Sequence, residues 1–200
     1  MKKIAAIFLI LSIALTTTAQ QMQPLTDSFH FSKKIPVTPL DGRHFRYEMA
    51  VSTNASDDFT GLSFYGVAAQ GDKAMTTHRF KTVEKRTEQD WTIFTIEGTL
   101  PADADAVWFY TSVTRPGTYY FDDLSLYIES SRGSWKQLNI INHSFEQSTG
   151  GELAGFAVRR SPAGNPKATL SEKVAKTGKF SLMITYRDTG AAPGFTAGED

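Results

Sequence analysis

Phe45-Arg46-Tyr47-Glu48-Met49-Ala50-Val51 is the stretch on which the fold of this chain turns. Phe45, Tyr47, Met49 and Val51 alternate with Arg46, Glu48 and Ala50. That period of two buries one face of an extended chain and wets the other, as an antiparallel strand on a core requires. Further strands are read at 62–68, 78–82, 91–97, 106–113 and 119–128, and none carries a sustained helical stripe. Turn chemistry separates them: Asp41-Gly42, Asn54 to Asp58, Gln70-Gly71-Asp72, Pro101 to Asp105 and Arg115-Pro116-Gly117. Short strands at this spacing predict an all-β fold, an antiparallel β-sandwich of the jelly-roll kind.

Toward the N-terminus, Phe29, Phe31, Ile35 and Val37 mark one more strand between Asp27 and Val37. Ahead of it stand a basic start, Met1-Lys2-Lys3, an apolar run from Ile4 to Leu15, and the small residues Thr16-Thr17-Thr18-Ala19. This is the pattern of a secretory signal peptide over 1–19, cleaved after Ala19. The run is shorter than the ~20 residues of a membrane span, and no cysteine follows it to take a lipid. The expected product is secreted or periplasmic, without a membrane anchor. Without Lys2 and Lys3 the 21 basic residues become 19 against 21 acidic ones, a net charge near −2 with no basic stripe inviting nucleic acid. With no cysteine there is neither a disulfide framework nor a thiol nucleophile, so a buried core must carry the stability.

Toward the C-terminus, Glu129-Ser130-Ser131-Arg132-Gly133-Ser134 is polar, and a new apolar series runs through 138–145, 153–158, 168–174 and 180–186. The series is too short to close a sandwich of its own. The organisation read from this is a signal peptide at 1–19, a β-sandwich module at 20–130, a linker at 131–137 and a second, incomplete β unit at 138–200.

Two blocks carry a resemblance. The first joins the strand Trp91-Thr92-Ile93-Phe94-Thr95-Ile96 through the turn Pro101-Ala102-Asp103-Ala104-Asp105 to Tyr119-Tyr120-Phe121-Asp122-Asp123-Leu124-Ser125-Leu126. It resembles the C-terminal half of carbohydrate-binding modules of families 4 and 9, which are galactose-binding-like jelly rolls. The second block is Asn142-His143-Ser144-Phe145-Glu146, Leu153-Ala154-Gly155-Phe156 and Thr177-Gly178-Lys179-Phe180-Ser181-Leu182. It resembles the N-terminal half of the same family, with Phe156 where that family usually has Trp, so packing is expected of Phe156 more than ligand stacking. The order of the halves is inverted. Either 23–130 form a complete sandwich and 138–200 open a second one, or the two halves assemble as one permuted sandwich; the first is the arrangement adopted in the boundaries above.

The resemblance also implies a structural calcium ion, held by an aspartate of the Asp-Asp strand, here Asp123, with Glu146 of the Phe-Glu opening and backbone carbonyls completing roughly 6 to 8 oxygens. The competing reading has Asp122 and Asp123 accept hydrogen bonds from loop amides. As neighbours on a strand they are expected on opposite faces, so they do not form one acid–base pair. No nucleophile motif is present, and His30, His44, His78 and His143 have no partner spacing for catalysis or zinc. Aromatic residues are the remaining binding signal, because sugar rings stack on exposed Trp and Tyr. If Val107 and Phe109 face the core, Trp108 and Tyr110 share the other face; Tyr119 and Tyr65 complete the candidate carbohydrate-binding set, while Trp91 reads as core. The expected role is a non-catalytic accessory module that binds or positions polysaccharide for an attached enzyme. The alternative is a structural or protein-interaction spacer in front of a secreted hydrolase such as a serine peptidase.

Overall fold

Alternation is realised most strictly in the strands that begin at Phe29, His44 and Ala106 of the computed structural model, which describes residues 28–38, 43–54, 59–129, 133–149, 152–160 and 166–187. The signal expected at 1–19 lies outside the described residues. The chain is all-β and antiparallel. Thirteen strands are described: β1 (Phe29–Pro36), β2 (His44–Thr53), β3 (Leu62–Gln70), β4 (Lys73–Glu88), β5 (Trp91–Thr99), β6 (Ala106–Val113), β7 (Gly117–Glu129), β8 (Trp135–Leu138), β9 (Ser148–Thr149), β10 (Glu152–Leu153), β11 (Ala157–Arg160), β12 (Lys167–Ser171) and β13 (Ser181–Tyr186). Among the described residues no helix is long and apolar enough to cross a membrane.

One curled sheet forms both layers of a sandwich. Its order is β11-β1-β6-β3-β4-β5-β2-β7-β13-β12, with β8 also on β7. The corner is β4, whose residues up to Lys81 pair with β3 while Thr82 to Glu88 pair with β5. Register irregularities on both pairings bend it there. Phe80 turns inward at the corner to meet Phe45 edge-on at 4.9 Å, and its ring lies over Gly98, where any Cβ would collide with it. The first layer is then β11-β1-β6-β3 with the first half of β4, and the second is the rest.

Between the layers the inward residues interdigitate. Tyr47 of β2 stacks on Phe109 of β6 at 3.6 Å, and Phe31 of β1 meets Phe121 of β7 edge-on at 5.2 Å. Such pairs add ~0.5–1.5 kcal/mol each beyond the area they bury.

The residues after the polar stretch do not form a separate unit. The expected linker contains β8, which pairs with Leu126 to Glu129 of β7. Farther on, β11 pairs with β1 at the open edge of the first layer, and β13 pairs with β7 in the second, with β12 outside it. Ile140, Phe145, Leu153, Leu182 and Ile184 are buried in the same core as Phe31 and Phe121. The boundary placed at 131–137 is therefore corrected: residues 138–187 extend both layers of one sandwich. The physical reason is edge pairing, since β1 and β7 would otherwise each leave a row of backbone groups unpaired.

One inward position of β1 is charged. Lys33 is 6 % exposed, and its Nζ donates to the carbonyl oxygens of Ile141 (2.7 Å) and Gly155 (3.0 Å) while lying 4.1 Å from the centre of the Phe156 ring. It ties the 141–155 segment onto β1. Burial pushes the Lys33 ammonium down to about 8. The unfolded chain therefore keeps a proton that the folded one has released between about pH 8 and the ordinary lysine value of 10.5. Stability contributed by this group rises with pH through that window and is lost as pH falls through 8. We expect the urea midpoint of the wild type, relative to that of Lys33→Met, to increase between pH 7.5 and 10; a constant difference would show that Lys33 does not titrate in the window.

Candidate functional site

The outer face of the first layer is built by the residues between the core positions of its strands. On β6, Val107 and Phe109 point inward while Trp108, Tyr110 and Ser112 are half-exposed on the far side. The register carries that face across the strands. Ser32 of β1 and Tyr65 of β3 flank Tyr110, Lys34 and Val67 flank Trp108, and His30 and Ser63 flank Ser112. Lys81 and Arg79 of β4 lie opposite Tyr65 and Val67, and Arg159 of β11 lies opposite His30.

Three rings stand in a row on this face. Tyr65 stacks on Tyr110 at 5.1 Å and 17°, and Tyr110 on Trp108 at 6.0 Å and 22°. The guanidinium of Arg79 sits 3.7 Å from the centre of Tyr65 at one end of the row. Parallel rings at these separations are offset-stacked, so they turn part of their faces to one another. Burial and the neighbouring Tyr65 push the Tyr110 phenol above its ordinary value.

Beside the row lies an open hollow of about 410 Å³ lined by His30, Ser32, Tyr65, Tyr110, Ser112 and Arg159 among others. The His30 ring is held on both sides, with Nδ1 2.7 Å from Ser112 Oγ and Nε2 2.7 Å from Ser28 Oγ. A neutral imidazole has one donor and one acceptor and satisfies both hydroxyls. Burial, and then the charge of Arg159, push its pKa below the usual 6.5, toward the neutral ring.

Of the four aromatic residues expected to bind carbohydrate, Trp108, Tyr110 and Tyr65 are brought together and Tyr119 is not. Tyr119 is 1 % exposed and packs in the core, its hydroxyl reaching the Arg115 carbonyl oxygen at 3.5 Å. It pairs with Thr53 on β2 and faces inward with Phe121, so it is removed from the binding set as a core residue. Trp91 lies with Ala50 and Ile93 in a small cluster on the outside of the second layer, with Tyr120 and Val174 packed against it. Phe156 stacks on Phe145 at 5.0 Å and meets Phe31 edge-on at 6.0 Å, a packing role.

The carboxylates take a different arrangement from the one expected on a regular strand. Asp123 has φ +52°, and the β2–β7 register slips between Glu48 and Ala50, so β7 bulges there. Inward positions change from odd (Tyr119, Phe121) to even (Leu124, Leu126, Ile128) across the bulge. Both carboxylates consequently reach one residue, Lys176: Asp122 Oδ2 accepts its backbone N–H at 2.7 Å, and Asp123 Oδ2 accepts its Nζ at 3.1 Å. Asp122 accepts two more amides, from Thr177 (3.0 Å) and Asp123 (2.7 Å). Burial pushes the Asp122 carboxyl above its ordinary value, against the opposing pull of these amides.

Glu146 serves the next turn of the same loop, its Oε1 accepting the N–H of Lys179 and Phe180 at 2.9 Å each. Gly178 has φ +64° and passes so close to this carboxylate that a Cβ would strike Oε1. Calcium wants several free oxygens. The two proposed ligands are instead engaged, Asp123 by an ammonium and Glu146 by two amides. Among the described residues no three His, Cys, Asp or Glu side chains gather into a metal-holding group. The side chains do not fit a calcium ion, and no step is assigned to one.

Comparison with known proteins returned no match: no family model, no curated protein and no solved structure. The face must be read from its own chemistry.

Sequence reasoning missed the polar half of that face. Arg79 carries a local signal, since it alternates with Lys81 on a strand that returns beside Tyr65. His30 and Arg159 carry none, because they meet only when β11 closes the edge of β1 from 129 residues away in the chain.

Proposed function

We propose that this chain is a non-catalytic carbohydrate-binding module whose ligand lies across the outer face of the first layer. The observation that carries the reading is the row Trp108–Tyr110–Tyr65 beside a hydroxyl-lined hollow. Apolar C–H faces of sugars meet aromatic carbon, and the hydroxyls and His30 meet sugar hydroxyls. The resemblance of the Trp91 strand and the Asp-Asp strand to carbohydrate-binding modules supports the same class. An attached catalytic domain would use such a module to stay near its polymer.

Aromatic contacts of this kind contribute ~1 kcal/mol each beyond burial, so affinity for a short oligosaccharide is weak and depends on more than one ring. The variant Trp108→Ala with Tyr110→Ala is expected to lose retention on insoluble polysaccharide while remaining folded, since neither ring belongs to the core. Retention is read by pull-down and folding by a melting curve on the same sample. If the variant unfolds, the rings are structural and the module is a spacer; if it stays folded and is still retained, the ligand binds elsewhere.

A further inference from the structure

The strand segments of the first layer carry no carboxylate, while those of the second carry both signs. The first-layer strand segments 29–36, 62–70, 73–81, 106–113 and 157–160 contain no Asp or Glu, but they contain Lys33, Lys34, Lys73, Arg79, Lys81, Arg159 and Arg160. The second-layer strands hold Glu48, Glu84, Glu88, Glu97, Asp122, Asp123 and Glu129 together with Arg46, Lys85, Arg86, Lys136 and Lys167. Lys33 points inward, but Lys34, Arg79, Lys81 and Arg159 stand on the outer face with no carboxylate on the same strand segments, and this concentrates positive potential on the face that bears the aromatic row.

The basic groups also sit where a ligand would pass. Arg79 caps the Tyr65 end of the row, Lys81 is the strand neighbour of Tyr65, and exposed Arg159 lines the hollow beside His30. The second layer pairs its cations locally, as in Arg86 with Glu48 at 2.9 Å and Lys176 with Asp123. On the first layer Lys34 pairs with Asp72 at 2.8 Å, and Asp72 comes from the turn between β3 and β4.

We infer that the ligand of this face is an acidic polysaccharide, one whose uronate carboxylates meet Arg79 and Arg159 while its ring carbons meet Trp108 and Tyr110. The inference rests on the carbohydrate-binding reading and specifies its substrate class. Guanidinium groups suit this role because their planar donors match a carboxylate in bidentate fashion. The same charge would attract a single-stranded nucleic acid, and the hydroxyl-lined hollow beside the rings is what favours a sugar over it. The hydroxyls of Ser32 and Ser112 and the His30 ring suit sugar hydroxyls.

The test is affinity electrophoresis of the full chain in gels containing polygalacturonate, alginate or hyaluronan, each beside its carboxyl-reduced, neutral counterpart. At least one acidic polymer should retard the protein, with its reduced form binding about tenfold or more weakly, because hydrogen bonds to a charged acceptor exceed those to a neutral one. Arg79→Gln with Arg159→Gln should remove that preference, so that the acidic polymer retards the variant no more than its reduced form does, with a melting curve showing that the variant is folded. Raising NaCl from 50 to 500 mM should weaken only the acidic arm. Equal retardation by an acidic polymer and its reduced form would overturn the acidic specificity and leave the carbohydrate reading intact. Retardation by none of them would overturn both. Displacement of bound polyuronate by oligo-dT at lower concentration would reassign the face to nucleic acid.

Discussion

A fragment ending at residue 137 is expected not to fold, although it contains every strand from which the sandwich was first read. Cutting there removes β11 from β1 and β13 from β7, baring an edge in each layer. It also takes Ile140, Phe145, Leu153, Leu182 and Ile184 out of the shared core. Phe31 loses the Phe145 ring at 6.2 Å and the Phe156 ring at 6.0 Å, and Lys33 loses both carbonyl partners, leaving an ammonium on the inward side of β1. Deleting a large buried side chain costs ~2–5 kcal/mol, so the sum exceeds the ~5–15 kcal/mol that holds a typical domain together. The fragment should show no cooperative urea transition and should bind a hydrophobic dye, whereas the chain through residue 187 unfolds in one step. A sharp two-state transition in the fragment would show that the first module is autonomous.

The second large effect falls on one carboxylate. Asp122 is 0 % exposed and accepts three backbone N–H groups, those of Asp123, Lys176 and Thr177. Asp122→Ala leaves all three without that acceptor. A buried donor without a partner costs ~1–3 kcal/mol, so three of them set an upper range of roughly 3–9 kcal/mol, lowered where water reaches the part-buried amides. Asp122→Asn should recover part of this, because one carbonyl oxygen remains while its NH₂ faces donors. Chemical denaturation gives the totals, and amide exchange at Lys176 and Thr177 locates them. A loss below about 1 kcal/mol, within the range of ordinary surface changes, would mean that the 174–180 loop does not depend on β7.

Period-two alternation is a local property, and it was legible where it was strict. Phe45 to Val51, Phe29 to Val37 and Ala106 to Val113 read as strands and are strands, and the split of Val107 and Phe109 from Trp108 and Tyr110 follows from the pleat alone. The same rule failed across β7. A bulge at Asp123 adds one residue, reverses the parity, and brings both carboxylates to Lys176, although alternation places them on opposite faces.

What the sequence by itself determined is the all-β class, most strand positions and two of the three stacked rings as a pair. Only the tertiary structure decided how many cores there are, because that depends on which edges β11 and β13 complete, and edge pairing joins residues more than sixty positions apart with no local signature. His30 and Arg159 came to share the hollow beside the aromatic row for the same reason, whereas Arg79 reached the row through the local β3–β4 hairpin and Tyr119 became a core residue on the inward side of β7. The pleat assigns a side chain to a face of its strand, but which face is covered and which cations stand beside it depend on partners that the chain supplies elsewhere.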